Sequence, residues 1–232
     1  MRTPQRIYQD ELLDAGAGND QDVARNLKDI RRVNRWLGGT RVVIEALSAA
    51  IGRTTDSFSL LDVGTGSADI PGAVFKWCQR RGIQSSIAAV DVSARNLKVA
   101  RNRLGVSPAV ELVQADSLAL PFGERSFDFV VASMFLHHFK DEDVVKLLES
   151  FAIVARRAVI VNDLLRDLVP YYLTQTIGRL LATSFLTRND APVSVLRGFT
   201  ADELSRLAAN AGLDRVTVQR VFPYRLMLVA NL

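Results

Sequence analysis

The run from Ser59 to Pro71, SLLDVGTGSADIP, narrows the possible folds more than any other part of the chain. Leu60, Leu61 and Val63 read as the end of a buried strand. Gly64 and Gly66 then supply a backbone that a ligand can approach closely. Asp69 is placed to cap the helix that follows, with Pro71 in its first turn, where a missing N–H does little harm. Strand, glycine loop and helix in this order form the nucleotide-binding start of a doubly wound α/β sheet.

A chain of 232 residues holds one such domain with a full core. Arginines and carboxylates interrupt every apolar run before the ~20 residues that cross a bilayer. The first residues, MRTPQRIYQDELLD, carry no apolar signal core, so the expected location is the cytoplasm, with no membrane partner. The single cysteine, Cys78, excludes an internal disulfide, and with only His137 and His138 besides, no zinc cluster of cysteine and histidine is expected. The formal charge is +4, with lysines and arginines mixed among acids, so no nucleic-acid partner is expected either.

Polar residues 1 to 20 read as a loosely held arm. Val23, Leu27, Ile30 and Val33 then predict a helix, and Val42, Val43, Ala46, Leu47, Ala50 and Ile51 a second, with Gly38-Gly39 between them. Asn34, Arg35 and Trp36 fall beside that joint, as a helix end with a core tryptophan or as a cover for the site. After the glycine loop come a helix over Gly72 to Arg81, a strand over Ser86 to Asp91, and a helix capped by Ser93. Strands follow at 110 to 114, at Phe127 to Ser133 and at AVIVN, which closes at Asn162-Asp163. Between the last two, Asp141 is placed to cap a helix running to Val154. Residues 164 to 198 break the alternation and predict one or two helices over the carboxyl edge of the sheet. Thr200 and Glu203 form a capping box, and two final strands separated by Pro223-Tyr224 should pair as an antiparallel hairpin. The expected divisions are 1–55 (helical cap), 56–163 (cofactor core), 164–199 (cap insertion) and 200–232 (helix and hairpin), in one domain.

Three acids thus stand at or near the carboxyl ends of successive strands: Asp62, Asp91 and Asp116. That edge is where open α/β sheets bind ligands. The carboxylate of Asp91 offers two oxygens to two ribose hydroxyls, and Asp116 can accept from an exocyclic adenine amine. A pyrophosphate fingerprint would place a third glycine where this chain has Asp69, a negative charge in an anion's place. The loop therefore suits a cationic or zwitterionic nucleoside.

The blocks LDVGTGSADIP, AAVDVS, VQADSLALPFGERSFDFVVAS and MFLHHF, from about 57 to 163, resemble class I S-adenosylmethionine-dependent methyltransferases of the small-molecule branch that includes the ubiquinone and menaquinone biosynthetic enzymes. The resemblance implies a Rossmann-like, mostly parallel seven-stranded sheet with an antiparallel carboxyl-terminal hairpin and a helical cap. It implies S-adenosylmethionine as cofactor, held by Asp62, Gly64, Thr65, Gly66, Asp91, Val92, Asp116, Ser117 and the Ser133 backbone. Gly64 and Gly66 would lie against the methionine part, Asp91 on the ribose, and Asp116 with Ser117 on the adenine. The stretch from Tyr171 to Thr200 resembles the cap of bacterial enzymes, some of which methylate phenolic or polyketide-derived hydroxyls. The expected activity is O-methylation of such a small molecule; the alternatives are C-methylation of a quinone-type ring and a non-catalytic cofactor-binding module.

A phenolic acceptor must lose a proton, ordinarily with a pKa of about 10, and a histidine at the ligand edge suits that task. His138, with His137 as alternative, is the candidate base or orienting group; the competing reading packs the pair beneath the cap or against the methionine pocket. Asn162 and Asp163 are candidate acceptor contacts, Asp163 equally a helix cap. Arg197 is a candidate for an acidic substrate, and Arg188 should pair with Asp190. No metal is expected, and the apolar insertion allows a homodimer.

Overall fold

The computed structural model describes residues 3–52, 56–105 and 110–232; the first two residues of the arm and the 53–55 junction lie outside them. Two helices, α1 (Asp20–Trp36) and α2 (Gly39–Ile51), precede β1 (Ser57–Val63). Then follow α3 (Asp69–Arg81), β2 (Gln84–Asp91), α4 (Ala94–Leu104), β3 (Val110–Gln114), β4 (Phe127–Ser133), α5 (Asp141–Val154) and β5 (Ala155–Leu164). A cap of α6 (Leu168–Leu173), a π turn (Thr174–Gly178), α7 (Arg179–Leu181) and α8 (Phe185–Arg197) leads into α9 (Ala201–Asn210), β6 (Val216–Val221) and β7 (Arg225–Asn231).

The seven strands lie in the order β3-β2-β1-β4-β5-β7-β6. The first five are parallel, and β7 runs antiparallel to both β5 and β6. This is the sheet the methyltransferase resemblance implies. Its central strands are apolar at consecutive positions because side chains alternate between two covered faces. Leu60, Phe129 and Ile160 pack with Val43, Leu47 and Val74 on the α2–α3 side. Leu61, Val130 and Val159 pack with Leu147, Phe151 and Leu204 on the α5–α9 side.

Helix ends follow local chemistry in most places. Asn19 and Thr200 each form a capping box, and the Ser93 hydroxyl accepts from the Asn96 N–H at 3.3 Å. Two expected caps are displaced by one residue. Asp69 and Asp141 are the first helical residues, after Ala68 and Lys140, neither of which makes a side-chain cap bond. Asp69 instead turns inward to a buried partner, and Asp141 pairs with Arg6.

The arm is tied down where its polar sequence predicts a loose segment. The N–H groups of Leu12 and Leu13 donate to the buried Asp190 carboxylate at 2.9 and 3.1 Å, and Arg166 Nε donates to the Pro4 carbonyl at 2.8 Å. These partners sit in the cap and after β5, far along the chain, so no local pattern in residues 1 to 20 announces them. Asp190, so engaged, does not pair with Arg188, which donates to the Ala182 carbonyl instead.

Candidate active site

The strand order reverses between β1 and β4, and the parallel strands end there at a cleft of about 560 Å³, within the roughly 300–1,000 Å³ of small-molecule sites. Its floor is the β1 loop and the ends of β2 and β4. Its roof is one face of α1, with Leu27 and Ile30, and the arm, with Asp10, Leu13 and Asp14. Six aspartates line it, Asp10, Asp14, Asp62, Asp69, Asp91 and Asp116, against Arg95 and His138 as the cationic side chains. Such a cavity concentrates cations and repels phosphates.

The carboxylate of Asp91 organises the β1–β2 end of the cleft. One oxygen accepts from the Gly66 N–H at 2.8 Å, and the other accepts from the Ser93 N–H at 2.9 Å and Asn96 Nδ2 at 3.2 Å. Burial holds the Asp91 pKa above the ordinary carboxylate value despite these donors. Asp62 is buried beneath the loop, and desolvation, with Asp69 and Asp91 nearby and only the Thr65 hydroxyl opposing, pushes its pKa up to about 8. A cation bound here would favour the ionised form of both acids. Asp116 accepts from the Leu118 N–H at 2.9 Å and fixes the turn that carries Ser117. Thr65, Val92, Ser117 and Ser133 also face the cleft, with Val92 exposed.

Gly64 has a second reason to be glycine. Its φ is +72°, and a Cβ there would stand 2.0 Å from the Phe135 ring. The resemblance sets Gly64 against the methionine part; here the neighbour is Phe135, a cleft residue that the strand pattern gave no reason to single out.

The histidines diverge. His137 is buried, its Nδ1 2.6 Å from Asp163 Oδ1 and its Nε2 3.8 Å from Glu11 Oε1. Burial alone would raise the Asp163 pKa, but the His137 ring and backbone N–H donors hold it below the ordinary value. His138 faces the cleft, with Nδ1 2.7 Å from Asp14 Oδ2 and 4.0 Å from Glu11 Oε1. Burial opposes a charge on His138, yet the Glu11 and Asp14 carboxylates outweigh it and push its pKa up to about 9. At neutral pH this ring is a cation, poised to donate rather than to accept a proton.

Four expected acceptor contacts lie outside the cleft lining. Asn162 is fully buried and donates from Nδ2 to Ser133 Oγ at 2.8 Å. Asp163 is used up by His137 and by the N–H groups of Phe135, His137 and Leu164. Arg197 is buried and donates to the carbonyls of His137, His138 and Gln9, which pins the histidine turn and the arm. Trp36 projects into solvent at 82% exposure. Asp163 and Arg197 have their polar groups committed to protein partners, Asn162 commits Nδ2 but leaves a buried Oδ1 unpartnered among the described residues, and Trp36 projects away from the cleft.

Beside that joint, Asn34 is the residue that faces the cleft. Its Nδ2 donates to Asp69 Oδ2 at 3.0 Å and its Oδ1 accepts from Arg225 Nη2 at 3.1 Å. Arg225 is buried, which lowers its pKa to about 10 against the pull of Asp163 and Asp69. A Cβ on Gly39 would stand 2.8 Å from both Arg225 Cζ and Asn34 Oδ1, so the Gly38-Gly39 joint admits this chain of contacts. Asp10, Asp14, Glu11 and Phe135 were likewise missed. The acid spacing in QDELLD was visible, but nothing local tied it to histidines more than a hundred residues away.

Strand order, glycine loop and acid-lined cleft are those of the class I S-adenosylmethionine-dependent methyltransferase fold, and the comparisons support S-adenosylmethionine as the cofactor. Residues 61–160 match the family described as "Methyltransferase domain". Among curated proteins, the chain is similar to the ubiquinone/menaquinone biosynthesis C-methyltransferase UbiE of Xylella fastidiosa (strain M23), 28% identical over 170 residues. That match takes in 67% of this chain and 66% of the relative, just under two thirds of its length. Among solved structures, human N-acetylserotonin methyltransferase in complex with SAM superposes with a TM-score of 0.66 at 15% identity, over 98% of this chain and 62% of that one. An O-methyltransferase family 2 protein from Planctomyces limnophilus in complex with apigenin gives a TM-score of 0.63 at 19% identity, over 93% and 62%. At these identities the two structures establish a shared fold.

Proposed function

We propose that the protein methylates an oxygen of a small phenolic acceptor, and that His138 binds the acceptor as its phenolate. The observation that carries this reading is His138, held by Asp14 and Glu11, in a cleft whose lining also includes Leu13, Phe135 and Phe139. These apolar side chains suit an aromatic ring. A positive charge beside a phenol, whose ordinary pKa is about 10, stabilises the oxyanion and so eases loss of its proton to solvent. S-adenosylmethionine, when bound, would supply an electrophilic methyl group, and the protein's part is to hold the acceptor oxygen close and aligned to it. Asp91, Asp116 and Ser117 are assigned to hold the nucleoside. Asp163 and Arg197 are positioning residues that fix the histidine turn.

This role replaces that of a free base: a ring with a pKa of about 9 is already protonated at pH 7. A second reading, methylation of a ring carbon, is favoured by the 28% identity to a protein named as a C-methyltransferase. A phenolate also activates its ortho carbon, so the same residues serve either outcome. The test is turnover of methyl-labelled S-adenosylmethionine with a panel of dihydric phenols and hydroquinones, with product NMR to separate O–CH3 from C–CH3. His138→Ala is expected to lose about 10²-fold or more in turnover, and the wild-type rate to fall as pH rises through about 9. Near-normal turnover in His138→Ala with cofactor affinity intact would remove His138 from the chemistry.

A further inference from the structure

We infer that the cap and the second half of α1 form a face that docks on an anionic lipid bilayer, lying on the membrane surface without crossing it. This holds whichever acceptor the cleft takes, and it departs from the expectation of no membrane partner, which rests on the absence of an apolar run long enough to span a bilayer. No described helix is long and apolar enough to span a membrane, so the contact considered is peripheral.

The first observation is an apolar stripe turned outward. Leu173, Ile177, Leu180 and Leu181 recur at helical spacing across α6, the π turn and α7, a pattern that ordinarily faces a core. All four are exposed, Leu180 at 84% and Leu181 at 73%. Trp36 and Leu37 stand exposed at the end of α1. The two segments are joined where the buried Asp29 of α1 accepts from the N–H and hydroxyl of Thr183 and the N–H of Ser184, at 2.7 to 3.0 Å. Large apolar side chains exposed together on one segment mark an interaction surface.

The second observation is charge, and it selects the partner. Residues 168–189 contain no acid and carry Arg179 and Arg188; residues 30–44 contain no acid and carry Arg31, Arg32, Arg35 and Arg41. Five of these six arginines lie in the cap or the second half of α1; Arg41 lies on α2. Arg32 and Arg41 pair with Asp29 and Glu45 at 3.3 and 2.6 Å. Among the described residues Arg31, Arg35 and Arg179 have no ion pair, and Arg188 donates to a backbone carbonyl. A second copy of the chain would set like charge against like charge across a two-fold contact. Anionic headgroups instead take the guanidiniums, while leucine tips reach the acyl boundary and Trp36 sits at headgroup level.

The experiment is co-sedimentation of the full chain with phosphatidylcholine vesicles, with and without phosphatidylglycerol, alongside Trp36 emission; the other tryptophan, Trp77, is buried. Expected are binding that requires the anionic lipid, a blue shift absent in Trp36→Phe, and weakening by added salt. Leu180→Asp/Leu181→Asp should bind about tenfold or more weakly with unchanged far-UV circular dichroism, since both side chains are exposed. Arg35→Gln/Arg179→Gln serves as an independent variant that should lose anionic preference alone. Wild-type protein that stays in the supernatant, or leucine and arginine variants that bind as well as wild type, would overturn the inference. A dimer seen by light scattering, and lost in the leucine variant, would assign the face to a second copy instead.

Discussion

The two ends of the cleft are built in different ways. At the proposed cofactor end two of the acids are fixed by near neighbours in the chain or the adjoining strand: Asp91 by Ser93, Asn96 and the Gly66 loop, and Asp116 by Leu118. At the proposed acceptor end the contacts span the chain. His138 meets Asp14 across 124 positions, Leu12 meets Asp190 across 178, and Arg197 meets His137 across 60. A site of local motifs is set once its strands pair. A site of distant contacts exists only after the arm and cap have docked, so a weakened arm should reduce acceptor chemistry before it reduces cofactor binding.

The contrast can be broken most forcefully at Asp163. Asp163→Ala removes the partner of His137 and the acceptor of three backbone N–H groups. It should cost about 3–5 kcal/mol, the usual cost of breaking a buried pair, read as a lower denaturant midpoint. A loss under about 1 kcal/mol, the scale of an exposed pair, would mean that the acceptor end is not anchored there.

A smaller change sharpens the comparison. His138 has its folded pKa raised to about 9, above the ordinary value of about 6.5. Its contribution to stability is therefore fully present below about pH 6.5 and is lost as pH rises through 9. Asp14→Asn should lower the His138 pKa, seen by NMR titration, and flatten stability across that window while leaving cofactor affinity unchanged. Cofactor affinity that falls in step with the His138 pKa would show the two ends to be one unit.

How much could be read in advance follows the same division. The strand runs, the capping box at Thr200 and Glu203, the final hairpin, and the acids at 62, 91 and 116 are local patterns, and Asp91 and Asp116 each fix a backbone group of their own loops. Asn162, Asp163 and Arg197 also looked functional, being polar residues at the right sheet edge or in the cap. Their partners are backbone groups and buried side chains that only the packed chain brings together. Asn34 escaped for the same reason: its value lies in bridging Asp69 and Arg225, 35 and 191 positions away. Trp36 attracted attention as a large aromatic beside a glycine joint, yet it faces outward. Trp36→Ala should be the mildest change, within about 0.5 kcal/mol in stability and without effect on cofactor affinity. A tenfold loss of affinity would place Trp36 in the site after all.

The most direct test of the account is calorimetric titration of S-adenosylmethionine into wild type and Asp91→Ala, with NADH as control. The prediction is binding to wild type that Asp91→Ala weakens by about 1–3 kcal/mol. Near neutral pH, binding should release protons as the cation draws Asp62 down from about 8. Failure of wild type to bind S-adenosylmethionine, or equal affinity in Asp91→Ala with no proton release, would contradict a cofactor site organised around the β1 and β2 acids.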